Sequence, residues 1–315
     1  MKYRLGHDIM DTMKKKLLLI GGGTIATHYK AGLECSPHYE LVALSDINPN
    51  CASRNLFSVP FYTDYNEALA ATGAEVAMIA TSTSSHYEIA KNLLGGGISV
   101  ITEKPICESY DKIEELCALA ELKKIDLGCV FHWKYADEVK YLKQHLATLG
   151  RIERIAVRVC DDYANTDNGS IRADRRGLCG AWLDSGINIL SYIGQLCDLH
   201  DYELVHKQHI LDKACNQTKF AHCIYRFGTV AADITVDWRT DSREKTSEIT
   251  CERGLVQVNH TRQTVLFNGM PVYQNPLVDR LSGHYKNAFA EFTPSKEELH
   301  YALLLHKILF EGEAQ

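Results

Sequence analysis

Short apolar runs alternate with amphipathic stretches through the first half of the chain. Lys16–Ile20 reads as a buried strand, and Gly21-Gly22-Gly23 follow it at once. Thr24–Gly32 reads as a helix, Tyr39–Ser45 (YELVALS) as a second strand, Glu75–Ala80 (EVAMIA) as a third and Ile98–Thr102 (ISVIT) as a fourth. Helical stretches lie between them. Ser85–Leu94 is stopped by Gly95-Gly96-Gly97, and Ser109–Lys124 sets Ile113, Leu116, Cys117 and Ala120 at the i, i+3, i+4, i+7 spacing of one helix face. Ser109 suits its N-cap, with Asp111 in the first turn. Strands that alternate with helices imply parallel βαβ units and a doubly wound sheet.

The pattern changes after about residue 150. Ile152–Asp161 is strand-like with no helix directly behind it. Ala221–Phe227 and Thr229–Arg239 pair around Gly228, and Val230, Ala232, Ile234, Val236 and Trp238 share one face of the second. Leu255–Asn259 and Thr264–Phe267 follow, with the hairpin turn Asn268-Gly269 after them. Successive antiparallel strands predict an α+β domain with a large open, mainly antiparallel sheet. The helix Lys296–Phe310 closes the chain, with Ser295 and Glu298 at capping-box spacing.

Length supports this division, since 315 residues make two domains at roughly 150 residues each. The reading is a leader at 1–13, a first domain at 14–130 and a second at 131–315, the last helix being free to return to the first. A net charge of −6 argues against nucleic-acid binding. The 11 cysteines form no CxxC pair, which suits reduced thiols in the cytoplasm and no metal site. Met13–Lys16 before Leu17–Ile20 imitates the front of a signal peptide, but the apolar run is four residues long and runs into glycines. No stretch has the 18 or so apolar residues of a membrane span.

Against this frame three segments carry chemistry. Gly21-Gly22-Gly23-Thr24-Ile25-Ala26 fits G-x-G-x-x-[G/A] between a strand and a helix. Gly21 permits the tight turn, Gly23 lets a pyrophosphate approach the backbone, and Ala26 lets helix and sheet pack closely. The second strand ends at Asp46, twenty residues after Ala26, where a carboxylate accepts from ribose hydroxyls. That acid favours NAD over NADP, whose 2′-phosphate it would repel; NADP stays possible, since Arg54 is near. Thr102-Glu103-Lys104-Pro105 ends a strand, where ligand crevices form in such sheets. Ala181–Leu196, read as a helix, aligns Asp184, Asn188, Ser191 and Gln195 in one polar stripe, either a solvated face or the wall of a polar pocket.

These residues resemble the Gfo/Idh/MocA oxidoreductase family over roughly residues 14–312. The resemblance rests on GGGTIA at 21–26, Asp46, Thr81–His86 (similar to T-P-x-x-x-H, with Ser82 for proline), Glu103-Lys104-Pro105, Gly150-Arg151-Ile152 and Asp184-x-Gly186-x-Asn188. It implies a Rossmann domain binding NAD(P), with Gly21, Gly23, Thr24, Ile25, Ala26, Asp46, Thr81, His86, Glu103 and Lys104 about the cofactor. It also implies homodimers or homotetramers built on the open sheet. Asn188 replaces the family's usual histidine, which is similar to the branch that oxidises aldoses at C1. Phe131-His132-Trp133-Lys134-Tyr135 resembles that branch's W-H-x-R-Y segment, with two replacements.

The chemistry implied is oxidation of a sugar or polyol CH–OH by hydride transfer to nicotinamide. Lys104 would polarise the reacting oxygen and Asp184 would take its proton, with His132 as the alternative base. Asn188 would orient the substrate, and Tyr163, Arg172, Arg175 and Arg176 precede the helix where sugar hydroxyls would lie. A cyclitol or ketose enzyme, or a non-catalytic dinucleotide or sugar sensor, are the competing readings.

Overall fold

The computed structural model describes residues 13–165, 169–276 and 279–312; the leader, apart from Met13, lies outside them. Six parallel strands form the first sheet: β1 (Lys15–Ile20), β2 (Tyr39–Ser45), β3 (Phe61–Tyr62), β4 (Val76–Ile79), β5 (Ser99–Glu103) and β6 (Leu127–Val130), in the order β3-β2-β1-β4-β5-β6. The order reverses between β1 and β4, and in open sheets of this kind ligands bind at that switch point, beyond the strand C-termini. β1 and β4 are buried on both faces from Leu17 onward, as strands covered by helices on two sides must be.

Four helices belong to this unit: α1 (Lys30–Cys35), α2 (Tyr65–Thr72), α3 (Thr83–Gly95) and α4 (Tyr110–Lys123). The helix expected at Thr24–Gly32 is split. A 3-10 turn at Ile25–His28 comes first and α1 runs on to Cys35. Ser109 sits at the start of α4 but its side chain makes no capping bond.

α5 (Asp137–Leu149) leads to the second sheet. Its strands are β7 (Ile152–Cys160), β8 (Tyr202–Leu211), β9 (Thr218–Phe227), β10 (Val230–Asp237), β11 (Lys245–Cys251), β12 (Gly254–Asn259), β13 (Thr264–Phe267) and β14 (Met270–Gln274). They lie in the order β14-β13-β12-β11-β7-β10-β9-β8. Every pairing is antiparallel except β7 with β10. Asn268 and Gly269 have φ of 50° and 78°, the left-handed pair that a tight hairpin requires. Val230, Ala232, Ile234, Val236 and Trp238 are buried together, as their period of two dictates.

The helix expected across Ala181–Leu196 opens with a widened π-helical turn, Trp182–Gly186, before α6 (Ile187–Ile193). The Trp182 ring lies so close that a Cβ on Gly186 would stand 2.6 Å from it. Glycine is therefore needed for this helix to bury tryptophan against its own next turn, under the large sheet.

Two further helices, α7 (Arg280–Glu291) and α8 (Lys296–Phe310), return to the first sheet. α7 packs on α1 so closely that a Cβ on Gly32 would stand 2.7 Å from the Tyr285 carbonyl oxygen. α8 is capped by the Ser295 hydroxyl, which accepts from the Glu298 N–H at 3.2 Å. The reciprocal half of the box is absent, because Glu298 pairs with Lys134 instead. Among the described residues no helix is long and apolar enough to cross a membrane, and no cluster of three potential metal ligands occurs.

Candidate active site

The glycine turn lies where the first sheet switches direction. Gly21 has φ of 101°, and a Cβ there would meet the Ala80 carbonyl at 2.6 Å, so both conformation and space demand glycine. Gly23 faces open space, with nothing within 4 Å of an added Cβ. Thr24 is exposed and Ile25 half-buried beside it, while Ala26 is fully buried against the sheet. This is a cradle of backbone that a phosphate can approach. The Asp46 carboxylate stands at its rim, accepting from the Gly22 N–H at 2.6 Å and the Asn48 N–H at 2.8 Å. Arg54 is turned away from it, stacked 4.0 Å over the Phe61 ring.

Thr81 follows β4 on the other side of the switch point. Its hydroxyl accepts from Ser85 at 2.8 Å, and its carbonyl faces His86 Nε2 at 3.2 Å. His86 is buried, with its other nitrogen 3.0 Å from the Pro105 carbonyl. Burial holds its pKa below the usual histidine range. His86 thus ties the loop after β4 to the Lys104-Pro105 turn after β5, beneath the crevice. Glu103 is also beneath it: its carboxylate accepts from the Tyr29 hydroxyl and, at 3.3 Å, from the Lys104 N–H. Burial raises the pKa of Glu103.

Lys104 projects from the end of β5 toward the π-helical turn. Its ammonium donates to the Asp184 carboxylate and, at 3.0 Å, to the Asp184 carbonyl. The two side chains keep 12% and 17% exposure, so the ion pair is shielded yet reachable. One turn on, Asn188 Nδ2 lies 3.2 Å from His132 Nε2, and His132 Nδ1 lies 3.1 Å from His284 Nδ1 of α7. With Asn188 donating, His132 carries its proton on Nδ1 and gives it to His284, whose Nε2–H then points at no acceptor. Asn188 Oδ1 likewise has no partner. Burial, then the neighbouring His284 and Lys104, hold the pKa of His132 well below the usual range. The lone pair on His132 Nε2 is engaged by Asn188, so His132 is badly placed as a base and well placed to fix the amide.

Asp161, at the end of β7, pairs with Lys245 of β11 at 2.6 Å, and burial raises its pKa. Tyr163, two residues further along the chain, is half-buried and edge-on to Trp238 at 5.1 Å. Burial raises its pKa, and the carboxylates of Asp161 and Asp184 add to the effect. The Arg175 guanidinium sits 4.8 Å over the Tyr163 ring. Arg172 donates to the Asp162 carbonyl, while Arg176 is exposed. The 3-10 segment holding these arginines rests on the first domain: a Cβ on Gly177 would stand 3.0 Å from the Ser82 Cβ.

The polar stripe of Asp184, Asn188, Ser191 and Gln195 divides in two. Asp184 and Asn188 face Lys104 and His132. Ser191 donates to the Asn188 carbonyl at 2.7 Å, and Gln195 accepts from Lys143 at 3.0 Å. Asn188, Ser191 and Gln195 are all buried, so the stripe is not a solvated face.

A second cluster has the connectivity of a hydrolytic triad. Ser247 Oγ is 3.1 Å from His260 Nε2, and His260 Nδ1 is 3.0 Å from Glu138 Oε1. All three residues are at most 2% exposed, Trp133 stacks on the imidazole at 4.8 Å, and the Tyr192 hydroxyl lies 2.8 Å from Ser247. The serine is closed off from solvent. Sequence reasoning did not single out this cluster, nor Asp161, Lys245, Arg280 or His284, because their segments carry no local motif.

The family model described as the oxidoreductase family with an NAD-binding Rossmann fold matches residues 15–129. The chain is 34% identical over 148 residues to a protein of Amycolatopsis mediterranei named as a UDP-kanosamine synthase oxidoreductase subunit, covering 46% of this chain and 37% of that one. It is 24% identical over 226 residues to the D-glucoside 3-dehydrogenase of Escherichia coli, covering 70% and 60%. The chain spans less than half the length of the curated relatives it matches first, 47% of the oxidoreductase YceM of Salmonella typhimurium and 37% of the Amycolatopsis protein. The crystal structure of KijD10, a 3-ketoreductase of Actinomadura kijaniata, in complex with NADP and TDP-benzene, superposes with a TM-score of 0.78 at 17% identity, covering 94% of this chain and 96% of that one. The matched family model falls on the first domain, and the superposition shows that the fold, a Rossmann domain joined to a mainly antiparallel sheet domain, is shared across both. They do not confirm the aldose 1-dehydrogenase branch, since the named neighbours include a 3-dehydrogenase and a 3-ketoreductase.

Proposed function

We propose that this chain transfers hydride between a sugar CH–OH and a nicotinamide cofactor, with C1 of an aldose as the reacting carbon. The observation that carries the proposal is the shielded Lys104–Asp184 pair, which joins a strand end of the cofactor sheet to the helix beneath the second sheet. The nicotinamide, when bound along the glycine turn, supplies the hydride acceptor. Gly21, Gly23, Thr24, Ile25 and Ala26 hold its phosphates, and Asp46 takes the adenosine ribose hydroxyls. Thr81 lines the crevice; His86 and Glu103 hold the floor on which Lys104 stands. Lys104 donates to the reacting oxygen, and Asp184 removes the hydroxyl proton. Asn188 presents its unpaired Oδ1 to a substrate hydroxyl, and His132 holds that amide in place. Tyr163 and Arg175, stacked together beside Asp184, bound the sugar's far side.

No imidazole stands at position 188, so proton removal falls to a carboxylate, which suits the acidic anomeric hydroxyl better than an ordinary alcohol. C3 is the competing carbon, because the Escherichia coli relative is named a glucoside 3-dehydrogenase. NADH formation with a panel of aldoses, followed by product analysis, separates the readings. A lactone product is expected. A 3-keto sugar overturns the C1 assignment, and cofactor and sugar binding without turnover shows a sensor instead of an enzyme. The outer face of the large sheet, where Arg154, Asp233 and His222 pair and Val205 is 56% exposed, is the surface on which a homodimer or homotetramer would form. Light scattering near the 35.4 kDa monomer mass at micromolar concentration would rule that out.

A further inference from the structure

The molecule holds a second ion pair of the same build as Lys104 with Asp184. Lys245 of β11 meets Asp161, the residue after β7, at 2.6 Å. Their side chains keep 15% and 8% exposure, against 12% and 17% for the first pair. Strand register fixes where they point. Lys245 lies opposite Val159, and Val157, Val159, Ser247 and Ile249 are buried on one face of the sheet. The period of two puts Lys245 and Asp161 on that face too. The segment from Trp182 to Ile193 crosses it. The crossing starts over β9, where the Trp182 N–H donates to the Thr218 hydroxyl at 3.0 Å, and ends over β11, where the Tyr192 hydroxyl lies 2.8 Å from Ser247. β10 and β7 are the strands between. Thr218 and Lys245 open β9 and β11, so the crossing lies at the end of the sheet where β10 and β7 finish. Asp184 and Asn188 fall between the two anchors and stand across from Asp161 and Lys245. Burial raises the pKa of Asp161, and the Asp184 carboxylate adds to the effect, as this placement requires.

The pair has hydrogen-bonding capacity left. Lys245 has three N–H bonds and spends one on Asp161. Asp161 Oδ2 takes no hydrogen bond among the described residues and is not sealed from solvent. As a lock the pair adds little, because desolvating two charges offsets their attraction and β7 and β11 are already joined by their backbones from Lys245 to Cys251. We propose that Asp161 and Lys245 bind two adjacent hydroxyls of the sugar away from its reacting carbon, Asp161 accepting from one and Lys245 donating to the other. Neighbouring hydroxyl oxygens on a sugar ring stand about a hydrogen bond's length apart, as the two charged atoms do. A pair without net charge selects a neutral vicinal diol, and it rejects a sugar that lacks either hydroxyl because its own polar atom is then left unmatched. The proposal rests on the sugar oxidoreductase reading of this same site and narrows its substrate class.

The test uses the full-length chain with D-glucose, D-galactose and their 2-, 3-, 4- and 6-deoxy forms as probes, NAD and NADP as cofactors, and two readouts: turnover and sugar-induced rise in Tm. Asp161→Asn and Lys245→Met are each expected to lower kcat/KM by about 10–100-fold, mainly through KM, as the loss of a hydrogen bond to a charged group does. Removing one of two adjacent hydroxyls is expected to cost the wild type a similar factor. The same removal should cost the variants less than about threefold more, because hydroxyl and side chain lose the same contact. Asp161→Asn/Lys245→Met leaves no charge unpaired and remains informative if a single variant folds poorly. Unchanged kcat/KM in the variants, a fall in kcat alone, or variant and deoxy losses that multiply at every position overturns the diol site and leaves hydride transfer standing. If a sugar raises the Tm of the wild type but not of the double variant, and none is oxidised, the diol site stands and the hydride-transfer reading falls. If no sugar of the panel raises the Tm or is oxidised, the diol site falls.

Discussion

Two polar clusters in this molecule are assembled from side chains far apart in sequence, and only one is built like a place for chemistry. Glu138, His260 and Ser247 have the connectivity of a catalytic triad, yet they are sealed among Trp133 and Tyr192 and take most of their hydrogen bonds from one another. Lys104 and Asp184 form a simple ion pair, but they join two sheets and keep partial exposure. Atoms without partners occur in both: Asn188 Oδ1, one turn on from Asp184, and Glu138 Oε2 in the sealed cluster. Residue type and distance alone would favour the sealed cluster. Access separates them, since Glu138, Ser247 and His260 are at most 2% exposed while the Lys104 and Asp184 side chains keep 12% and 17%.

The comparison can be broken by mutation. Lys104→Ala is expected to lower kcat by about 10²–10⁴-fold, the usual share of a positioned acid–base group. Cofactor affinity should be retained in a fluorescence titration, since the glycine turn and Asp46 are untouched. Glu138→Ala should do the reverse, destabilising the fold by about 1–3 kcal/mol by orphaning His260. In a chain of this size each kcal/mol lowers Tm by roughly 1–2 °C, while kcat per folded molecule is kept. A Glu138→Ala protein that is stable but inactive would mean the sealed cluster has been misjudged.

A smaller effect is read by pH at His306 of α8, which belongs to neither cluster. His306 accepts from the Ile106 N–H through Nε2 at 3.0 Å and faces the Ala302 carbonyl through Nδ1 at 2.7 Å, so it is held as the neutral Nδ1–H form. Burial lowers its pKa from 6.5 to about 4. The unfolded chain therefore binds this proton first as pH falls. The stability it contributes is complete above pH 6.5 and is lost on acidification toward pH 4. Denaturant titrations at pH 7 and pH 5 should show the loss, and His306→Gln should flatten the slope. Asp46→Ala is the mildest change. It should narrow the preference for NAD over NADP by roughly tenfold by removing one repelling charge, and a wild type that prefers NADP would reverse the expectation.

Much of the first domain was legible because its signals are local. A strand, three glycines and an acid at the end of the next strand each report on their own few residues, and Tyr39–Ser45 was read to the residue. The second domain was legible as antiparallel strands by their period of two, but the parallel pairing of β7 with β10 depends on how β8 and β9 fold back between them in the chain. The stripe on Ala181–Leu196 pointed at Asp184 and Asn188 and also drew in Ser191 and Gln195, which serve the core. Periodicity shows that residues share a face and is silent on what covers it. α7 gave no clear sequence signal, and it carries His284, which meets His132 at 3.1 Å only because the fold packs α7 against that segment.

In the proposed reaction Lys104 and Asp184 work as one unit, joining the end of β5 to the π-helical turn before α6. Single-turnover rates for Lys104→Ala, Asp184→Ala and the double variant, on the best sugar and with a deuterium isotope effect to show that hydride transfer is being observed, test it most directly. Each single change is expected to cost at least about 100-fold and the double variant to be scarcely slower than either, as residues of one catalytic unit behave. Near-wild-type turnover in either single variant, or costs that multiply in the double, would contradict it.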